Sequence, residues 1–208
     1  MPTASNLKSS FSRAQLALLP PTPADAINIV IPEVCANIKT DINAPPVRFL
    51  MFNTSFATVV GGPLAETILD FGTDEMFQNM CDAKTVYMDG TFSICPKQFY
   101  QFFTLHFFAV DSRRLLPAVY FLLTSKTESL YTKLFNMVKA KAAEMGIQIR
   151  WDSSMSDFES GLLPSLLNAF PPPFKRHGCS FHNCDAVLKW IRGHFLVSSS
   201  YNKNKNIL

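Results

Sequence analysis

Hydrophobic and polar positions change their spacing along the chain, and the changes mark its elements. Lys84 to Asp89, Phe99 to Val110 and Leu115 to Leu123 are runs of β-branched, aromatic and aliphatic residues of strand length. Asp111-Ser112-Arg113-Arg114, between the last two runs, is short enough for a hairpin, so consecutive antiparallel strands are predicted. Beyond Ser125 the spacing becomes helical, with Leu130, Leu134, Met137, Val138 and Met145 on one face. Ser125-Lys126-Thr127-Glu128 opens that helix as a capping box, with Ser125 as the N-cap and Glu128 reaching back. Gly146 supplies a stop, after which Ile147, Ile149 and Trp151 alternate as a strand does. The predicted order to this point is β-β-β-α-β.

The flanks are less regular. Val47 to Phe52 reads as a strand after Pro45-Pro46, Gly61-Gly62-Pro63 as a turn, and Thr73 to Met80 as a short helix. Thr73 is the expected N-cap there, with Asp74 and Glu75 where the helix dipole favours negative charge. Downstream, Leu162 to Phe170 predicts a helix with Pro164 in its first turn, ended by Pro171-Pro172-Pro173. A short strand near Arg176 to Phe181 and a helix from about Cys184 to Phe195 follow. The fold class is therefore α/β, a mixed sheet of three antiparallel strands and then parallel ones, with flanking helices. Residues 1–46 read as an extended leader or linker, rich in Ser, Thr, Ala and Pro at its start; 47–82 as a lead-in strand and helix; 83–197 as the core; and 198–208 as a polar tail.

Composition narrows the function classes. A chain of 208 residues, 48% hydrophobic and 17% charged, holds enough apolar material for one ordinary core. Its five cysteines are irregularly spaced and no basic-then-apolar signal opens the chain, which fits a reducing compartment and not secretion. Apolar stretches such as Leu115 to Leu123 contain a proline and fall well short of the roughly 20 residues of a membrane helix. The net charge of +3 is uneven: residues 1–90 hold 5 basic and 9 acidic side chains, residues 91–208 hold 14 and 7. The cationic second half permits a phosphate-backbone partner without demonstrating one. No P-loop, dinucleotide loop or Gly-x-Ser-x-Gly elbow is present.

Two acidic positions could carry chemistry. Asp89 ends an apolar strand in Met88-Asp89-Gly90-Thr91-Phe92, where a carboxylate can ligate a hard cation; Asp-Gly is equally an ordinary turn. Asp157, in Ser156-Asp157-Phe158-Glu159, follows the strand begun near Ile147, with Asp152 as a rival and a helix N-cap as the bland alternative. A pair of carboxylates on adjacent strands would suit metal-assisted phosphoryl transfer. Cys179-Ser180-Phe181-His182 with Cys184 resembles half of a zinc site, but His177 and His194 complete no regular pattern, so zinc is not expected.

Taken in order, Asp89-Gly90-Thr91-Phe92, Cys95-Pro96, Phe99-Tyr100-Gln101, Leu105-His106, Leu116-Pro117-Ala118-Val119-Tyr120, Lys126-Thr127-Glu128, Tyr131, Leu134-Phe135, Ser156-Asp157-Phe158-Glu159, Phe170-Pro171 and Gly178-Cys179-Ser180-Phe181-His182 resemble the Mutator-like (MULE) transposase domain. The resemblance runs from about Leu64 to about Tyr201. It implies an RNase H-like fold, DNA as partner, and DNA cleavage and strand transfer supported by Mg2+ or Mn2+ on an Asp, Asp, Glu triad. Asp89 and Asp157 match the two aspartates as catalytic and metal-binding residues, and Cys179 and His182 match a Cys-x-x-His signature near the active site. It further implies a nuclear location (cytoplasmic for a relic), a homo-oligomer in the intact family and no small-molecule substrate.

The chain departs from the family pattern in several places. The family's glutamate lies beyond a helical insertion, and the sequence stops at Leu208, about where that insertion begins, so an incomplete fold lacking the third carboxylate is expected. Asp185 stands where the family usually has glutamine, Gly161 and Pro164 interrupt a usually continuous helix, and no Cys or His pair before Cys35 suggests the frequent upstream zinc finger. Glu159 and Asp185 are conceivable substitute ligands, but Glu159 stands so close to Asp157 that a solvated or helix-dipole role is preferred. Two functions follow: a transposase core, or a non-catalytic module binding DNA or a protein partner.

Overall fold

The computed structural model describes residues 23–57 and 64–194. In chain order the elements are a 3-10 turn at Glu33–Cys35, β1 (Asn37–Ile38), β2 (Val47–Arg48), β3 (Leu50–Ala57), β4 (Leu64–Gly72), α1 (Asp74–Asp82), β5 (Thr85–Thr91), β6 (Gln101–Ala109), β7 (Arg114–Leu123), α2 (Glu128–Glu144), β8 (Ser153–Ser156), α3 (Leu162–Ala169), β9 (Lys175–Gly178) and α4 (Ser180–His194). β1 and β2 form a small ribbon; the other strands form one sheet in the order β3-β4-β7-β6-β5-β8-β9. β5, β6 and β7 are successive antiparallel neighbours, whereas β5, β8 and β9 are parallel. This is the mixed α/β sheet expected of an RNase H-like fold, extended at one edge by β4 and β3.

Strand alternation decides which side chains meet the helices. Val86 and Met88 of β5, Phe103, Leu105 and Phe107 of β6, and Phe121 and Leu123 of β7 all enter one core. Against them α2 places Leu130, Tyr131, Leu134, Phe135, Val138 and Ala142; α1 adds Phe77, Met80 and Cys81, and α3 adds Leu162 and Leu166. Burial of one such Phe or Leu contributes about 1.5–3 kcal/mol, so this seam dominates the stability. A smaller cluster lies on Leu69 and Leu122, where Ala26, Ala36, Leu50 and Phe99 are buried together. Part of the segment read as leader thus packs on the sheet; residues 1–22 lie outside the described residues, as do Gly61-Gly62-Pro63 and the tail 198–208.

Several boundaries differ from the sequence expectation, each for a local reason. The α2 N-cap is Thr127, not Ser125: its hydroxyl accepts from the Leu130 amide at 3.2 Å. Ser125 instead donates to Glu66 at 2.9 Å, and Glu128, as the first helical residue, has no capping-box partner to reach. The strand expected from Ile147 begins only at Ser153, because Ile147 to Asp152 runs beside the α1–β5 connection and bonds to it through Arg150 N–H to Cys81 O and Asp152 N–H to Lys84 O, 2.8 Å each. The alternation there still buries Trp151, whose indole donates to Met80 O at 2.8 Å. α4 begins at Ser180 rather than Cys184, so the preceding strand ends at Gly178 and His182 lies in a first helical turn.

β4 has no counterpart in the expected elements. Its core-facing positions read Glu66, Ile68, Asp70, an alternation broken by two acids. The fold satisfies both: Glu66 takes Lys133, Ser125 and Thr127, and Asp70 accepts from the Phe52 amide at 2.6 Å.

Candidate functional site

β5 and β8 are adjacent and parallel, pairing Thr85 with Ser153, Val86 with Ser154 and Tyr87 with Met155. On β5 the buried residues are Val86 and Met88, so Tyr87 and Asp89 belong to the opposite face. On β8 Ser154 and Ser156 are buried, which assigns Met155 to that same opposite face, and Asp157 follows one residue past the strand end. The register ends at Tyr87 and Met155, two residues before Asp89 on one strand and two before Asp157 on the other, so the two aspartates follow the same end of one parallel pair. Both stand at the C-terminal ends of parallel strands, where open α/β sheets place their ligands. Asp89 has a side chain 51% exposed, and Asp157 is half-buried.

Cys179 and His182 flank this pair. The Cys179 amide donates to Ser156 O at 2.7 Å, which holds the start of α4 next to Asp157. His182 Nε2 lies 3.7 Å from Asp89 Oδ1, beyond a hydrogen bond but within reach of a charge pair when the imidazole is protonated. Its Nδ1 is buried without a partner among the described residues, and its ring meets Phe181 edge-on at 5.6 Å. His106, opposite Tyr87 on β6, is pushed down in pKa by burial while the Asp89 charge opposes the change.

The rival acidic residues lie elsewhere. Asp152 precedes β8 at its other end and pairs with Lys84 at 3.3 Å, so it is no partner for Asp89. Asp185 pairs with Lys189 on its own helix at 2.7 Å. Glu159 is not solvated: its side chain is only 10% exposed, 3.4 Å from Lys126 Nζ, and accepts a hydrogen bond from the Tyr131 hydroxyl. Its buried partners were missed in the sequence because Gln101 opens an aromatic strand and Tyr131 sits on the apolar face of α2, where a polar role leaves no pattern.

Among the described residues no group of three or more His, Cys, Asp or Glu is placed to hold a metal ion. The Asp89–Asp157 donor set nevertheless matches Mg2+ or Mn2+ chemistry, because a hard cation takes one or two carboxylates and completes its shell with water and substrate oxygens. Cys179, His182 and Cys184 do not supply the four ligands of a structural zinc site. No helix among the described residues is long and apolar enough to cross a membrane. A family model described as MULE transposase domain matches residues 85–186. No curated protein and no solved structure matches the chain.

Proposed function

The chain belongs, through residues 85–186, to the MULE transposase domain family, and on that premise we propose that it carries residues of a transposase catalytic core, acting on DNA by metal-dependent cleavage and strand transfer. The observation that supports this reading is the parallel pairing of β5, which bears Asp89, with β8, which leads to Asp157. Asp89 and Asp157 would hold Mg2+ or Mn2+, which when bound supplies Lewis-acid stabilisation of charge on the phosphodiester oxygens. Exposed Lys175 and Arg176 on β9 and Arg192 on α4 offer cationic contacts for a phosphate backbone. A chain with this activity works in the nucleus, where its substrate is.

The test is a nicking assay on plasmid DNA with Mg2+ or Mn2+. Nicking that falls at least about a hundredfold in Asp89→Ala and in Asp157→Ala supports the reading. Nicking that survives both substitutions undiminished sinks it. The second reading is a DNA-holding module without cleavage. Salt-dependent DNA binding without nicking is its signature.

A further inference from the structure

We propose that a buried hydrogen-bonded chain, Gln101–Tyr131–Glu159, is a positioning brace that holds Asp157 against Asp89 for cation binding; the inference rests on the carboxylate site proposed above. The three residues come from β6, α2 and the loop after β8, and they meet on the core side of the sheet near Gly90. Gln101 and Tyr131 are fully buried. Gln101 Nε2 donates to the Tyr131 hydroxyl at 2.6 Å, and that hydroxyl donates to Glu159 Oε2. Burial first, and then the Glu159 carboxylate, push the Tyr131 phenol above its ordinary range, so the hydroxyl keeps the proton it donates.

Each end of the chain reaches a segment that carries one aspartate. Gln101 Oε1 lies under Gly90, the residue after Asp89, at 2.9 Å from where a Cβ would stand, so a side chain at 90 would displace it. Glu159 is two residues beyond Asp157, and its carbonyl accepts from the amides of Leu162 and Leu163 as α3 begins. The β8 ladder ends at Ser156, so Asp157 itself has no strand bond to fix its place. What fixes it is the loop 157–161, which is clamped on its other sides by Phe158 against Gly178 and by Gly161 against the backbone of Lys126 to Glu128. The Tyr131–Glu159 hydrogen bond ties that loop to α2 and, through Gln101, to β6, the antiparallel neighbour of the strand that bears Asp89. A buried polar chain of this kind is costly when half satisfied, so removing one link should release the loop rather than leave it in place.

The experiment is Mn2+ titration calorimetry on the folded chain, with circular dichroism to verify the fold of each variant. Tyr131→Phe removes the hydroxyl and keeps the ring, which packs on Phe103 with centroids 5.3 Å apart. The brace predicts Mn2+ affinity weaker by about tenfold or more, the scale typical of groups that orient a metal's ligands. Glu159→Ala should behave alike, whereas Glu159→Gln keeps an acceptor for Tyr131 and should stay within about threefold of wild type, against the tenfold scale for a lost orienting group. If Tyr131→Phe does not fold, the contrast between the two Glu159 variants carries the test alone. Binding that needs Asp157 but is unchanged in Tyr131→Phe and Glu159→Ala, even with a lowered Tm, overturns the brace and leaves the site. A wild-type chain that binds no Mn2+ overturns both.

Discussion

Replacing Asp70 with Asn should change how the stability of the protein responds to pH. Asp70 lies on β4 with 3% of its surface exposed, between Phe52 and Phe121. Burial pushes its carboxyl from the usual 3.8 up to about 7, although the backbone amides of Phe52 and Asp70 and the charge of Lys141 pull the other way. Between those values the folded protein keeps a proton that the unfolded chain has released. Asp70 therefore favours folding fully below about pH 4, loses that contribution as pH rises toward 7, and costs a constant amount above it. About three pH units at roughly 1.4 kcal/mol each set a ceiling on the order of 4 kcal/mol, of which about 2–3 kcal/mol develops between pH 5 and pH 8. Asparagine cannot ionise and retains a carbonyl oxygen for the Phe52 amide. Urea unfolding at the two pH values should therefore show the midpoint of Asp70→Asn gaining on wild type by about 1 M between pH 5 and pH 8, for an m-value near 2 kcal/mol/M. Titrations elsewhere in the molecule cancel in that difference. A midpoint difference that stays the same to within about 0.2 M would refute the reasoning.

Two further expectations concern packing around the site. Gly161→Ala sets a Cβ 2.4 Å from Lys126 O, a backbone atom that cannot move aside, and should cost about 1–3 kcal/mol, whereas Gly193→Ala meets nothing within 4 Å and should stabilise α4 by up to about 1 kcal/mol. Equal Tm shifts for the two variants would show that the loop 157–161 is not clamped. Thr127→Ala removes both the α2 cap and a hydrogen bond to Glu66, so chemical denaturation should register a loss of about 1–2 kcal/mol; a loss no greater than that of Ser125→Ala would return the cap to Ser125.

The central strands were legible because their chemistry is redundant: in β5, β6 and β7, β-branched and aromatic residues, a short hairpin and alternation all agree. Asp89 and Asp157 stand out only through their motif context, since an Asp-Gly turn and a helix cap have the same local sequence, and their role is a proposal. β4 was not legible, because buried Glu66 and Asp70 mimic a solvent-facing strand until Lys133, Ser125 and the Phe52 amide are seen against them. The capping box failed for the same reason: Ser125 had a better partner in Glu66, 59 residues away. Glu159 was read from its nearness to Asp157, whereas its partner Tyr131 lies 28 residues upstream and becomes a neighbour only once α2 packs on the sheet. Long-range polar pairs of this kind are a property of the fold, not of any window of sequence.

The claim on which the account turns is that Asp89 and Asp157 share one divalent-cation site. Mn2+ titration calorimetry of the wild type, Asp89→Asn, Asp157→Asn and the double variant measures this directly. A shared site predicts that wild-type binding is lost in either single variant as completely as in the double, because residues that act as a unit are not additive. Mn2+ bound with wild-type affinity by both single variants would contradict it.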